Sequence, residues 1–302
     1  TSSETQMSNE RPTIRPVTLA RLVEATYLCG ESTRTTNDIE PELDITHRRA
    51  RSVLLETQRI GFVEEVQDST YEQTTSGEEL IMTVQNENWT RVSSILATHS
   101  PHYRAFINTV EKTGPVELDK ALQHLETQAM STPYTYNRTS VELLSDWGER
   151  LGPVQRNAFT GEYYIAQLTT VPDNFDQIVL EIYHNLEETT GIGIRQRHLS
   201  IPRIREMLCM KIGVTRDAID EALCELSKQN VGKIELSGAP IDTGAKNAAY
   251  GIKQLNLSDK EGLISTSHST DRIMAGVEQF NKRYYYLTVH DEDITYTQES
   301  DS

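Results

Sequence analysis

Apolar positions recur along the chain at helical spacing in short runs, each closed by a glycine or a polar turn. Val17, Leu19, Leu22, Val23 and Leu28 predict a first helix that stops at Gly30, a residue suited to the left-handed position after a helix. "TTNDIEPEL" predicts a short second helix, and the turn "DIT" supplies Thr46 as the cap of a third over 47–59. Projected at about 100° per residue, Ala50, Val53, Leu54 and Thr57 share one side of that helix. Arg48, Ser52, Leu55 and Arg59 fall on the other, with Arg51 beside them. One face packs and the other stays free. After Gly61, "FVEEV" alternates, "QDST" turns and "YEQTT" returns as a paired strand, before "SGEELIMTVQ" begins another helix.

The order returns twice. Over 102–167, "HYRAFINTVEKTG", "PVELDKALQHLETQ" and "YNRTSVELLSDWGERLG" read as three helices, and "PVQRNAFTGEYYIAQL" as strand, turn and strand. Over 174–255, "FDQIVLEIYHNLEE", "IPRIREMLCMKIG" and "VTRDAIDEALCELSKQN" are the helices, the last capped by Thr215. "VGKIELSGAPIDTGAKNAAYGIKQL" then makes a strand, a long tip and a return strand. A period of roughly 75 to 85 residues suits tandem small domains and is too long for a solenoid.

Helix, helix, turn, helix and a two-stranded wing is the order of the winged helix-turn-helix superfamily. Residues 17–83 resemble it through "LDITHRRARSVLLETQRIGFVEE": apolar Ile45 in the turn, the capping Thr46, an apolar i, i+3, i+4 set, and "IGFVE" entering the wing. The first repeat is most similar to regulator-type winged helices of bacteria and archaea. The resemblance implies a mainly α chain with small β wings, an α+β architecture of tandem winged helices. Its domains would be a flexible arm at 1–16, winged helices at 17–90, 91–170 and 171–290, the last with a C-terminal strand extension, and an acidic disordered tail at 291–302. Inside the extension, Tyr284, Tyr285 and Tyr286 read as half-buried strand tyrosines or, alternatively, as a stacking platform for bases.

Composition narrows the function. A chain of 302 residues with 36% hydrophobic content suffices for several modest cores. It contains no apolar run of eighteen residues and no basic-then-apolar leader, so a cytoplasmic protein that does not enter a membrane is expected. Cys29, Cys209 and Cys224 show no CxxC spacing and read as reduced core thiols. The net charge is -16, and 20 arginines outnumber 9 lysines. That balance resembles proteins of a high-salt, halophilic cytoplasm, with an ordinary acidic protein as the alternative. Such a charge opposes phosphate, so any nucleic-acid surface must be a local exception.

Motifs for catalysis fail on spacing. "GAPIDTGAKN" places five residues between Gly238 and Gly244, and Ala245 stands where a phosphate loop needs lysine. "GIG" at 191–193 follows a helix instead of a strand, and no HExxH or GxSxG occurs. "HDED" at 290–293 sits in a terminal run poorly suited to a closed metal site. No enzyme, cofactor or metal is expected.

Charge instead separates the three third helices. Over 46–59 four arginines oppose only Glu56, a local +3, whereas 137–151 carries -1 and 215–229 carries -2. The expected DNA-contacting set is therefore Thr46, His47, Arg48, Arg49, Arg51, Ser52 and Arg59, with a solvated basic face as the alternative. The first wing departs from a phosphate-binding one, since it carries Glu64, Glu65, Asp68 and Glu72 and no base. A second patch, Arg195, Arg197 and Arg203 with Arg205 and Lys211, either grips phosphate or pairs with the acidic third helix of its own repeat. Two functions follow as expectations. One is a double-stranded DNA-binding protein, a transcription regulator or the DNA-recognition subunit of a larger complex. The other is an interaction scaffold in a multi-protein assembly, with protein partners on the second and third repeats.

Overall fold

Thr18 accepts from the backbone N–H of Arg21 and so opens α1 (Leu19–Glu31), whose buried side is Leu19, Leu22, Val23, Ala25, Thr26 and Cys29. The computed structural model describes residues 11–189, 198–238 and 270–299 of the chain. It is mainly helical with small antiparallel sheets. The described residues divide into two units, 11–154 and 155–299, and the division falls within one short strand.

In the first unit, α1 leads through β1 (Arg34–Thr35) to α2 (Thr36–Glu42), which starts on a reciprocal cap between Thr35 and Asp38. Asp44, at φ 50°, turns the chain into α3 (His47–Ile60), and Gly61, at φ 91°, ends it in the left-handed conformation a side chain would resist. β2 (Val63–Gln67) and β3 (Thr70–Gln73) follow, and the sheet runs β1-β3-β2, with Arg34 opposite Tyr71 and Val63 opposite Gln73. Cys29, Ile39, Leu43, Ala50, Leu54, Val63 and Tyr71 close the core beneath it. The unit continues with α4 (Thr75–Gln85), α5 (Trp89–His99), α6 (Pro101–Thr113), α7 (Leu118–Ala129) and α8 (Arg138–Leu151). The apolar pattern did not predict α5, which packs Val92, Ile95 and Leu96 between the first repeat and α6. Trp147, Tyr103 and Phe106 are fully buried among α5, α6 and α8, where Ser93 and Tyr103 share a hydrogen bond of 2.8 Å.

The second unit begins in the hairpin of β4 (Val154–Arg156) and β5 (Tyr163–Ile165). It continues through α9 (Phe175–Thr189), β6 (Leu199–Ser200), α10 (Ile201–Ile212), α11 (Arg216–Gln229) and β7 (Ile234–Ser237). The described residues resume at 270 with α12 (Thr270–Met274), β8 (Val277–Gln279), β9 (Lys282–Tyr284) and β10 (Tyr286–Val289). The main sheet runs β6-β10-β7, which repeats the first sheet's order of short strand, last strand and middle strand. Tyr164 and Ala166 of the hairpin segment join Phe175, Ile204, Leu208, Ile219, Leu223 and Leu287 in one core.

Three expectations change. The strand beside β7 is β10, in the register Tyr286 to Ser237, and the return strand expected near 248–255 lies outside the described residues. The tail is not a disordered arm through 299. Asn230 and Gln229 exchange hydrogen bonds of 2.7–2.9 Å with the backbone of Thr295 and Thr297, Ile294 is buried, and Tyr296 meets the Phe175 ring edge-on. The described part of the arm, 11–16, is likewise docked. Ile14 is buried, and the Pro12 carbonyl accepts from the Thr135 amide. No helix among the described residues is long and apolar enough to cross a membrane.

Candidate nucleic-acid interface

Thr46 starts α3 by accepting from the backbone N–H of Arg49 at 3.4 Å, and the turn before it leaves the first helical turn facing water. Thr46, His47, Arg48, Arg49 and Arg51 are exposed and Ser52 is half-buried, whereas Ala50, Val53, Leu54, Thr57 and Ile60 are buried. The helix therefore packs by one face and offers its N-terminal turn and arginine edge. Arg48, Arg49 and Arg51 have no carboxylate within ion-pair distance among the described residues, while His47 Nδ1 lies 3.3 Å from Glu40 Oε2. Open helix amides and unpaired guanidinium groups at one end favour an anion.

Arg59 does not belong to this surface. Its guanidinium donates to Glu56, which is fully buried, and only 9% of its side chain is exposed. A carboxylate on the packed side of a helix must have cations beside it, and Arg15 supplies the second at 3.3 Å. Arg59 also donates to His102 Nδ1 at 3.5 Å, and His102 Nε2 donates to the Pro12 carbonyl at 2.8 Å. Since Glu56 and Arg59 neutralise each other, the exposed charge of α3 is that of Arg48, Arg49 and Arg51. The i, i+3 spacing of Glu56 and Arg59 allows this pair, but nothing in the helical spacing marks Glu56 as buried.

Beside α3, Glu64, Glu65, Val66, Gln67 and Asp68 are all exposed, and the Ser69 amide donates to Glu65 Oε1 at 2.6 Å. The wing is thus acidic on its open edge.

At the equivalent helices the first arginine is paired or buried. On α8, Arg138 is paired with Asp119 at 2.6 Å and Glu142 at 3.1 Å, and Ser140, Val141, Leu144, Ser145, Trp147 and Gly148 are buried. At the start of α11, Arg216 is buried and donates to both oxygens of the fully buried Glu206, at 3.0 and 3.1 Å, and to the Arg156 carbonyl. The chain crosses this end, because Thr215 N–H donates to the Leu168 carbonyl at 2.9 Å and Leu168 N–H to the Gly213 carbonyl at 3.1 Å. A recognition helix entered from its N-terminus is blocked there.

Two residues of the second basic patch are taken up in ion pairs. Arg205 is fully buried and donates to Asp220 at 2.6 Å, so it pairs with the acidic helix. Lys211 pairs with Glu181 at 2.7 Å. Arg203 remains exposed, with its guanidinium 4.5 Å from the centre of the Phe159 ring. Arg195 and Arg197 lie outside the described residues. Tyr284, Tyr285 and Tyr286 are each half-buried, and Tyr285 meets Tyr286 edge-on at 5.0 Å, so they form strand packing and no open stacking platform. Among the described residues no group of three His, Cys, Asp or Glu side chains is arranged to hold a metal ion. No protein-family model matches the chain, and no curated protein is similar to it.

Proposed function

We propose that the chain binds double-stranded DNA, reading the major groove with the N-terminal turn of α3, and that its two units are built from winged helix-turn-helix modules. The observation that carries the proposal is the contrast among three similarly capped helices. Only α3 keeps the arginines of its first half, Arg48, Arg49 and Arg51, exposed and without a carboxylate in ion-pair distance among the described residues, whereas Arg138 of α8 is paired and Arg216 of α11 is buried. Support for the modules comes from the sheet order, in which β1-β3-β2 recurs as β6-β10-β7 around two helices each time.

Arg48 and Arg51 are one turn apart on α3 and suited to guanine O6 and N7, while Thr46, Arg49 and the helix amides contact phosphate. Ser52, half-buried, borders that contact. The acidic wing repels the backbone, which confines the contact to the helix. The role is recognition, as a transcription regulator or as the DNA-reading subunit of a complex, and the remaining surfaces of 91–170 and 171–290 are available to protein partners.

Duplex affinity measured against salt for the full chain and for Arg48→Ala with Arg51→Ala tests this. A loss of roughly 1–3 kcal/mol for each guanine contact is expected. Unchanged affinity would remove α3 as the reader, and no duplex binding at low salt would favour the interaction-scaffold function.

A further inference from the structure

Beyond β10 the chain lies over the second unit without joining a sheet. The amides of His290 and Asp291 both donate to the Lys233 carbonyl, at 2.7 and 3.3 Å, and turn the chain toward the end of α11. There the backbone bonds to side-chain amides. Asn230 donates to the Thr295 carbonyl at 2.7 Å and accepts from the Thr295 N–H at 2.9 Å, and Gln229 does the same for Thr297 at 2.8 and 2.9 Å. A carboxamide presents a donor and an acceptor side by side, so each reads the backbone of one residue as a neighbouring strand would.

Residues 295 and 297 are one strand period apart, which turns 294, 296 and 298 to the opposite side. Ile294 is buried in the core of the unit, Tyr296 is half-buried with its ring edge-on to Phe175 at 5.2 Å, and Gln298 donates to the Val171 carbonyl. Thr295 and Thr297 are exposed, so their side chains are left unread. Ahead of Ile294, Glu292 lies 2.9 Å from His184 Nε2, and Lys233 donates to the Asp293 carbonyl at 2.6 Å with its ammonium 3.8 Å from the Asp293 carboxylate.

The surface needs an occupant. Asn230 is 4% exposed, and one of its donors is met within α11 by the Leu226 carbonyl at 2.8 Å. Its other donor and its oxygen are met, among the described residues, by the backbone of Thr295. Emptied, the groove would leave a buried carboxamide half-paired, and an extended backbone relieves that cost whatever its sequence. The resident segment is nevertheless held lightly, since of residues 291–299 Ile294 is buried, Tyr296 is half-buried and the others are exposed. A peripheral segment of this kind opens at a fraction of the free energy of global unfolding.

We propose that the surface formed by Val171, Phe175, Gln229 and Asn230 is a receptor for an extended segment of a partner protein, with residues 292–298 as its resident, exchangeable occupant. The ligand it fits carries acidic residues followed by an apolar residue, any residue, an aromatic, any residue and a glutamine, because those are the positions the surface touches. Main-chain bonds supply affinity and alternate side chains supply specificity, as in strand addition, but here the bonding edge is made of side-chain amides. This names the chemistry of a protein partner on 171–290 and rests on no part of the α3 reading.

The test uses the full chain, a fluorescent peptide with the sequence of 289–299 as the probe, and a scrambled peptide of the same composition. Ile294→Ser with Tyr296→Ser loosens the resident segment. The probe is expected to bind that variant about a hundredfold more tightly than the unaltered chain, in which the tethered segment competes at an effective concentration on the order of millimolar. Adding Asn230→Ala is expected to weaken probe binding about tenfold, and the scrambled peptide is expected not to bind. A second measurement needs no variant: deuterium exchange of the unaltered chain, in which protection of 294–298 is expected to fall when an isotopically heavy probe is added while that of β10 holds. No probe binding by the loosened chain with its thermal transition intact, equal binding of the scrambled peptide, or exchange in 294–298 that matches β10 and ignores the probe overturns the inference. Dimerisation of the unaltered chain with rising concentration, lost in the Ile294/Tyr296 variant, assigns the groove to a second copy and overturns the partner. Duplex affinity is a separate readout, so failure here leaves the α3 proposal to its own variants.

Discussion

His102 joins the docked arm to α3. It lies buried between Arg59 and the Pro12 carbonyl, with the rings of Tyr134 and Tyr136 each 5.0 Å away and Glu56 beyond the guanidinium. Arg59 offers only donors, so Nδ1 accepts and the proton resides on Nε2. Burial, and then the Arg59 charge, hold the His102 pKa below the ordinary value. In the unfolded chain the imidazole takes up a proton first as pH falls, so the stabilisation is complete above about pH 6.5 and is lost below it. Denaturation midpoints from pH 8 to 5 are expected to show that acid loss, reduced in His102→Gln; an identical profile in the variant would contradict the assignment. None of this was legible from α3 alone. Helical spacing sorts residues by face, and Glu56 sits on a packed one because Arg15, 41 residues away in sequence, is folded against it.

Among the elements, α3 was legible because its signals are local: a threonine cap, an apolar i, i+3, i+4 face and a glycine stop. Apolar spacing of the same kind placed α8 and α11, but it could not show that one is paired and the other covered, since that depends on Asp119 and on the chain segment at Leu168. Strand pairing was less legible still, because β7 finds its neighbour in β10, some fifty residues on. The acidic wing is the element whose role can be separated most cleanly from folding, as Glu64, Glu65 and Asp68 are exposed. Neutralising them as Glu64→Gln, Glu65→Gln and Asp68→Asn is expected to raise duplex affinity on every sequence with little change in thermal midpoint. Weaker binding in that triple variant would mean that the wing itself contacts the ligand.

At the scale of the whole molecule, a charge of -16 opposes approach to DNA, and a few arginines must overcome it locally. Screening is short-ranged, with a Debye length of about 10 Å at 0.1 M salt, so an exposed group of three guanidinium ions at one helix end acts on a phosphate nearby while distant acids are damped. Composition made that requirement visible, and charge counting along the helices singled out the one proposed to meet it. The central claim concerns base recognition, which affinity alone does not establish. The most direct measurement is selection from a random duplex library by the full chain and by Arg48→Ala with Arg51→Ala. Enrichment of a short guanine-containing motif by the unaltered chain, lost in the double variant, is the result expected; the same motif from both proteins, or none from the unaltered chain, would contradict it.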